Sequence, residues 1–142
     1  MVEFAIGASL LATVFGGTFS WGYSFYRYNQ LEAQVNAGAR FAALRNYDAI
    51  STTPSSAFST AVTNVVVYGT PTPANGAIAV VPGLTSSNVT LTVDFALGVP
   101  AGMTVAITGY QINGLFRRVT LTGKPKVRYS FQALWNPVAG GL

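Results

Sequence analysis

The sequence predicts an α+β protein in which a long N-terminal helix packs against a small antiparallel β-sheet. Two observations lead to this prediction. An apolar run from Phe4 to Tyr26, free of charge and proline, continues as an amphipathic helix, and the C-terminal half alternates with a two-residue period. A chain of 142 residues suits one domain with an extension better than two full domains.

The N-terminal helix is predicted from its length and periodicity. At about 1.5 Å per residue, the apolar run covers roughly 30 Å, the hydrocarbon thickness of a bilayer. Apolar residues then recur every three or four positions, so the helix is expected to continue to about Asn46. The residues expected to pack against the sheet are Leu31, Val35, Ala39 and Ala42.

The composition points to a membrane or polymeric protein. Half of the residues are hydrophobic and 8% are charged, against about 25% charged in a typical soluble chain. Eight basic and four acidic residues give a net charge of +4, and the basic residues are spread thinly along the sequence. Nucleic acid is therefore not an expected partner.

The residue inventory argues against catalysis. The chain has no cysteine and no histidine, which excludes thiolate chemistry and removes the usual near-neutral proton shuttle. Its four acidic residues form no paired-carboxylate motif, and no glycine-rich loop carries the lysine of a phosphate site. We expect no catalytic residue, no cofactor, no metal site and no enzyme activity.

The chain divides by composition. A Ser-Thr-Thr-Pro-Ser-Ser stretch at residues 51–56 predicts a connector that separates the helix from the sheet. The predicted parts are the helix, residues 1–47 (hydrophobic half 1–26, amphipathic half 27–47), a linker, 48–60, a β domain, 61–136, and a tail, 137–142.

Six short segments with strand character follow the connector. The clearest is Asn88–Leu97, where apolar residues alternate with mostly polar ones, as in an antiparallel strand covered on one face. Turn signals such as Gly98–Gly102 and Asn113-Gly114 join the segments into one meander-like sheet. The predicted strands are Val62–Tyr68, Ala77–Val81, Asn88–Leu97, Met103–Thr108, Leu115–Thr122 and Val127–Leu134.

Small residues and one carboxylate stand out in the apolar run. Gly7, Gly16 and Gly17 would let helices approach closely, although glycine is also commoner in membrane spans generally. The Gly16-Gly17 pair also predicts a bend or a locally melted turn. Glu3 would be stabilised by the helix macrodipole, and in a bundle it could meet the amino terminus of a neighbouring copy and enforce axial register.

Two blocks resemble a known family. Val2-Glu3-Phe4-Ala5 at the start of the helix, and Gly38-Ala-Arg-Phe-Ala-Ala43 further on, are similar to type IV pilins of the TadE-like (tight-adherence) group. The resemblance covers about the first third of the chain. The sequence departs from type IV pilins in having its glutamate at the third position rather than the fifth, and in lacking a cysteine pair. Three explanations fit the position of the glutamate: Met1 is an internal start, Met1 is a differently processed end, or the glutamate has a different offset in this chain.

The resemblance implies a structural subunit that waits in the inner membrane and polymerises into an extracellular filament for adhesion. It implies further copies of the chain as the main partner, with a leader peptidase, an assembly ATPase and a platform protein. The residues expected to form subunit contacts and set register are Met1, Glu3, Phe4, Gly7, Leu10, Leu11, Val14, Gly16, Gly17, Phe19 and Trp21.

An alternative is a minor pseudopilin, or a single-span anchored binding module, that forms no filament. Basic residues after the apolar run would by themselves favour a cytoplasmic C-terminal side, so the pilin interpretation requires a positively charged leader. Asn88-Val89-Thr90 also matches the N-glycosylation sequon, which makes Asn88 a candidate acceptor.

Overall fold

The computed structural model describes residues 2–45, 54–114 and 118–132, and within them the chain has the predicted α+β fold. Helix α1 (Val2–Leu44) has 43 residues and is about 65 Å long. It ends just before the expected limit at Asn46, which lies outside the described residues. It continues through the Gly16-Gly17 pair, so of the predicted bend or locally melted turn the melted turn was wrong, and the bend stays a prediction.

Burial divides α1 into two halves. The first half, Val2–Tyr26, has no buried residue and is called the shaft below. In the second half, Leu31, Val35, Ala39 and Ala42 are all 0% exposed and belong to the hydrophobic core. The head consists of this second half together with the elements that follow it.

A second helix, α2 (Ser56–Tyr68), follows. Its N-cap is Ser55, whose hydroxyl accepts a hydrogen bond from the Phe58 amide at 3.2 Å. Its C-cap is Gly69, in the left-handed conformation with φ of 75°, and the Gly69 N–H donates to the Val65 carbonyl.

The prediction of a strand at Val62–Tyr68 was therefore wrong. The β-branched run looks strand-like locally, but Phe58, Val62, Val65 and Val66 recur at helical spacing and are buried. Packing of this face against α1 outweighs the strand preference of its valines. The prediction of a linker was wrong over residues 56–60, which are helical. The predicted domain boundary at residue 61 falls inside α2.

The predicted strand at Ala77–Val81 was also wrong. This segment forms no strand ladder in the structure, although the Val80 N–H donates to the Val67 carbonyl at 2.9 Å at the end of α2. Its contribution is apolar, because Val81 and Leu84 are buried in the core. A 3-10 turn, Ser86–Asn88, then leads into the sheet.

The described residues form five strands: β1 (Val89–Ala96), β2 (Val99–Ile107), β3 (Gln111–Asn113), β4 (Arg118–Thr120) and β5 (Lys126–Ser130). These strands form two separate sheets, so the prediction of a single meander was wrong. The larger sheet is antiparallel in the order β1-β2-β5, and the smaller is the β3–β4 hairpin. The hairpin lies between β2 and β5 in sequence, so β5 returns to pair with the central strand β2.

Strand β1 confirms the predicted alternation, while several strand limits differ. The turn between β1 and β2 is a tight two-residue turn at Leu97-Gly98, with φ of 52° and 78°, rather than the predicted Gly98–Gly102. Strand β4 is shorter than predicted and β5 ends at Ser130. Residues 115–117 and 133–142, which include parts of both predictions and the predicted tail, lie outside the described residues.

The core lies between α1, α2 and the inner face of the larger sheet. Met103, Val105 and Ile107 of β2 supply its centre on the sheet side, with exposures of 1%, 0% and 0%. Where α1 crosses α2, a Cβ added to Gly38 would overlap the Cγ2 atom of Val66. This crossing fixes the second half of α1 to α2 within the head, while the shaft stays outside the core.

Candidate assembly surface

The shaft exposes a continuous apolar surface. Phe4 is 82% exposed and Phe19 is 76% exposed, and no residue of the most apolar 18-residue window of α1 is buried. By length and composition, α1 could cross a membrane. The other exposed large apolar side chains of the shaft are Val2, Ile6, Leu10, Leu11, Val14, Phe15, Trp21, Tyr23, Phe25 and Tyr26.

Hydroxyl groups in the shaft are satisfied within the helix. The side chains of Ser9, Thr13, Thr18 and Ser24 each donate to the carbonyl four residues earlier, at 2.8 to 3.0 Å. Burying an unpaired hydroxyl in an apolar medium is costly, and these bonds avoid that cost. These four hydroxyls therefore need no polar partner in lipid or in a bundle of similar helices.

The predicted register residues lie along this surface. Gly7 and Gly17 have no atom within 4 Å of the position a Cβ would take, so their helix face is open to a neighbour. Glu3 is exposed in the first turn, where the helix macrodipole favours a negative charge. In the part of the chain that the structure describes, the ion pair found is Arg128–Asp94, and Glu3 has no cationic partner. Met1 lies outside this part.

Aromatic and basic groups mark the end of the shaft. The Arg27 Nε donates to the Tyr23 hydroxyl at 2.8 Å, and its guanidinium carbon lies 5.1 Å from the centre of that ring. Gln30 donates to the hydroxyl of Tyr26 at 2.8 Å. Amphipathic aromatic side chains beside an arginine are typical of the boundary between lipid and water.

The β3–β4 hairpin lies beside the shaft end and forms an apolar groove with it. The groove has a volume of about 250 Å³, and its walls are almost entirely apolar. Only Trp21 of its residues was among the predicted contact positions, because no local pattern pairs the shaft end with a distant hairpin. The groove residues are Trp21, Ser24, Phe25, Tyr28, Ile112, Val119 and Leu121.

Asn88, the candidate glycosylation site, has a structural role. Its Oδ1 accepts hydrogen bonds from the amide and hydroxyl of Thr85, at 3.1 and 2.8 Å. Its Nδ2 donates to the Thr108 carbonyl at 3.2 Å. A glycan on Nδ2 would have to form beside this last bond, and glycosylation stays a prediction.

The acidic residues of the described ranges form no metal-binding group. Asp94 lies on the outer face of the larger sheet, where Oδ2 accepts hydrogen bonds from Arg128 Nε at 2.6 Å and Thr104 Oγ1 at 3.2 Å. Since Arg128 is more than half exposed, this pair contributes little stability, about 0–1 kcal/mol.

In the described residues, a long apolar shaft carries a small α+β head. Residues 1–40 match the model of the family described as TadE-like protein, which confirms the resemblance found in the sequence. No curated protein and no solved structure gives a significant match. The match covers residues 1–40, and over them the chain is similar to this family.

Proposed function

We propose that the chain is a subunit of a cell-surface filament, assembled through its shaft. The observation that supports this proposal is an apolar shaft of TadE-like sequence with no buried side chain. Such a surface is unfavourable in water, by about 25 cal/mol for each Å² exposed, and requires a cover. Lipid provides the cover before assembly, and the shafts of other copies provide it afterwards.

The exchange of lipid for neighbouring shafts is energetically feasible. Lipid tails and apolar side chains are similar environments, so the exchange depends on close packing rather than on further removal from water. The open faces at Gly7 and Gly17 permit close approach of backbones. The hydroxyls of Ser9, Thr13, Thr18 and Ser24 keep their hydrogen bonds within the helix in either environment.

Glu3 sets the axial register in this proposal. Among apolar shafts, a carboxylate without a partner is costly, so positions that pair it with a positive group are favoured over all others. The head then forms the outer surface of the filament and carries adhesion. The leader peptidase, the assembly ATPase and the platform protein are partners implied by the family resemblance.

The test compares Glu3→Ala with Glu32→Ala in cells that make the filament. Glu32 is exposed on the second half of α1 and serves as the matched control. We expect Glu3→Ala to reduce the yield of sheared fibres while membrane insertion stays unchanged, and Glu32→Ala to leave both unchanged. Electron microscopy and mass spectrometry of the fibres, with blotting of the membrane fraction, provide the readouts.

Two results would count against the proposal. Normal fibre yield from Glu3→Ala would refute the register role of the carboxylate. Fibres without this chain, together with a monomeric protein in detergent, would leave an anchored module that does not polymerise. The ratio of this chain to other subunits in the fibres also separates a major subunit from a minor one.

A further inference from the structure

We infer that the groove between the shaft end and the β3–β4 hairpin receives the first turn of the shaft of a second copy, with Phe4 in the groove and Glu3 beside Arg27. This inference rests on the proposed function, because it assumes that the shafts of different copies meet. It adds a specific contact between the shaft of one copy and the head of another.

The groove requires an apolar occupant. Ile112 and Leu121 are buried, at 4% and 9% exposed, while Val119 is 42% exposed at the open side. A volume of about 250 Å³ would hold roughly eight waters at liquid density, and waters need polar partners. The hydroxyl of Ser24, on the groove wall, already donates to the Ser20 carbonyl, so the walls offer water almost nothing.

The shaft of the same chain cannot fill the groove with its own first turn. Helix α1 is uninterrupted from Val2 to Leu44, and Phe4 lies about 30 Å along it from the groove. A second copy presents the same first turn, in which Phe4 is 82% exposed. Gly7 and Ala8 follow on the Phe4 face of the helix, and such small side chains allow the two backbones to approach closely.

Charge complementarity favours this occupant. Phe25 and Tyr28 line the groove on either side of Arg27 in sequence, and Arg27 has no carboxylate partner among the described residues. Its Nε is bonded to the Tyr23 hydroxyl, which leaves the other guanidinium N–H groups for an acceptor. Glu3 precedes Phe4 and has no cationic partner within residues 2–45, 54–114 and 118–132. Placing Phe4 in the groove brings this carboxylate to Arg27, where a charge-assisted hydrogen bond can form.

The contact implies a defined stagger between copies. Glu3 and Arg27 are separated along α1 by about 36 Å at the helical rise. Two parallel shafts joined by this pair are therefore displaced by that distance along their axes. The groove and the ion pair specify one stagger together, whereas the apolar surface alone accepts many.

The absence of native cysteine allows a background-free cross-linking test. Ala8→Cys and Val119→Cys are introduced together, since Ala8 follows Phe4 by about one turn and Val119 lies at the open side of the groove. Cysteine adds only a sulfur atom to alanine, so the helix face stays nearly as small. The assembled filaments are treated with a short thiol-reactive cross-linker and analysed on denaturing gels. We expect a ladder of covalently joined copies. The matched control pairs Ala8→Cys with Thr92→Cys, which is exposed on the outer face of β1 and should give no ladder.

Charge reversals at Glu3 and Arg27, introduced into the double-cysteine variant, test the proposed ion pair separately. Glu3→Lys alone and Arg27→Glu alone should each reduce the cross-linked fraction about tenfold, as expected for loss of a charged hydrogen bond. The two reversals together should restore it. Failure of the double reversal to restore cross-linking would overturn the assignment of Glu3 to Arg27.

Different results would overturn the groove contact and the proposed function. Filaments that contain the chain but cross-link no better through Val119 than through Thr92 would overturn the groove contact and leave the proposed function intact. If cells produce no filament that contains the wild-type chain, the proposed function is overturned and the groove contact with it.

Discussion

Gly38 shows how closely the two helices approach at a single residue. A Cβ at this position would overlap the Cγ2 atom of Val66 and lie 3.6 Å from the Val62 carbonyl oxygen. Alanine is otherwise favoured over glycine within a helix by up to about 1 kcal/mol. At Gly38 the overlap opposes that gain, because the helices have to separate.

We predict that Gly38→Ala destabilises the head by about 1–3 kcal/mol, which is typical of overpacking. Thermal unfolding of the full chain in detergent, followed by circular dichroism, measures the change. Gly22→Ala is the matched control, since nothing lies within 4 Å of a Cβ there, and it should be neutral or slightly stabilising. Val66→Ala should relieve part of the Gly38→Ala defect, and equal stability of Gly38→Ala and wild type would contradict the close crossing.

Tyr110 connects stability to pH. Its ring is buried and its hydroxyl donates to the Pro82 carbonyl at 2.9 Å. Burial raises the pKa of Tyr110 above the usual value of 10.0, while the nearby Arg27 guanidinium opposes the rise. The folded state therefore holds this proton more tightly than the unfolded state. The protonated Tyr110 hydroxyl makes its full contribution to the free energy of unfolding below pH 10. This contribution is lost as the pH rises through the folded-state pKa.

We expect Tyr110→Phe to lower stability by about 1 kcal/mol at pH 8, because the bond to Pro82 is lost. Above pH 10 the wild type should lose stability more steeply than the variant, so the difference between them narrows. Melting temperatures measured from pH 8 to 11 provide the test, with Tyr129→Phe as a control at a more exposed position. A constant difference across this range would show that Tyr110 does not titrate with unfolding.

Among the elements, α2 depends most clearly on its caps. Ser55 satisfies the Phe58 amide at the N-terminus, and the helix has no acidic residue in its first turn to assist. We predict that Ser55→Ala costs about 1 kcal/mol, a typical loss for an N-cap. Chemical denaturation of the full chain measures it. Ser56→Ala, at the exposed position that follows, is the control and should change stability by less than about 0.5 kcal/mol.

The elements also show what sequence could and could not predict. The long apolar run defined α1, and the alternation at residues 88–97 defined β1, because each pattern extends over many residues. Helix α2 was missed because Val65, Val66 and Val67 favour a strand over a short window. Ser55 and Gly69, at positions typical of helix caps, were the signals that could have identified it.

The groove could not be predicted at this scale. It joins residues near position 25 to residues near position 115, and that pairing depends on how β3 and β4 leave the larger sheet. The single-meander interpretation placed Ile112 and Leu121 in no particular relation to α1. Tertiary arrangement, rather than any local pattern, brings them beside Trp21.

For the whole molecule, burial predicts that the head is independent of most of the shaft. No residue from Val2 to Trp21 is buried, and the first fully buried residue of α1 is Leu31. We expect a chain that begins at Trp21 to fold without detergent and to melt within about 4–8 °C of the full chain, a change of roughly 1 kcal/mol.

A chain that begins at Asn36 provides the contrast. It lacks Leu31 and Val35, both 0% exposed in the core, and should not fold. Proton NMR line dispersion and circular dichroism of the two truncated chains distinguish these outcomes. Cooperative folding of the shorter chain would mean that the second half of α1 is not required for the head.

The position of the β3–β4 hairpin between β2 and β5 allows the proposed binding groove to vary independently of the larger sheet. Strand β5 finds β2 through the register of the larger sheet, from Gly102 opposite Ser130 to Ala106 opposite Lys126, which does not involve the hairpin. Changes in the length of the hairpin, or substitutions of its side chains, would leave the pairing of β5 with β2 intact. Substitutions in the hairpin could thus change which neighbouring subunit binds in the groove, and with what axial stagger, while the larger sheet stays the same.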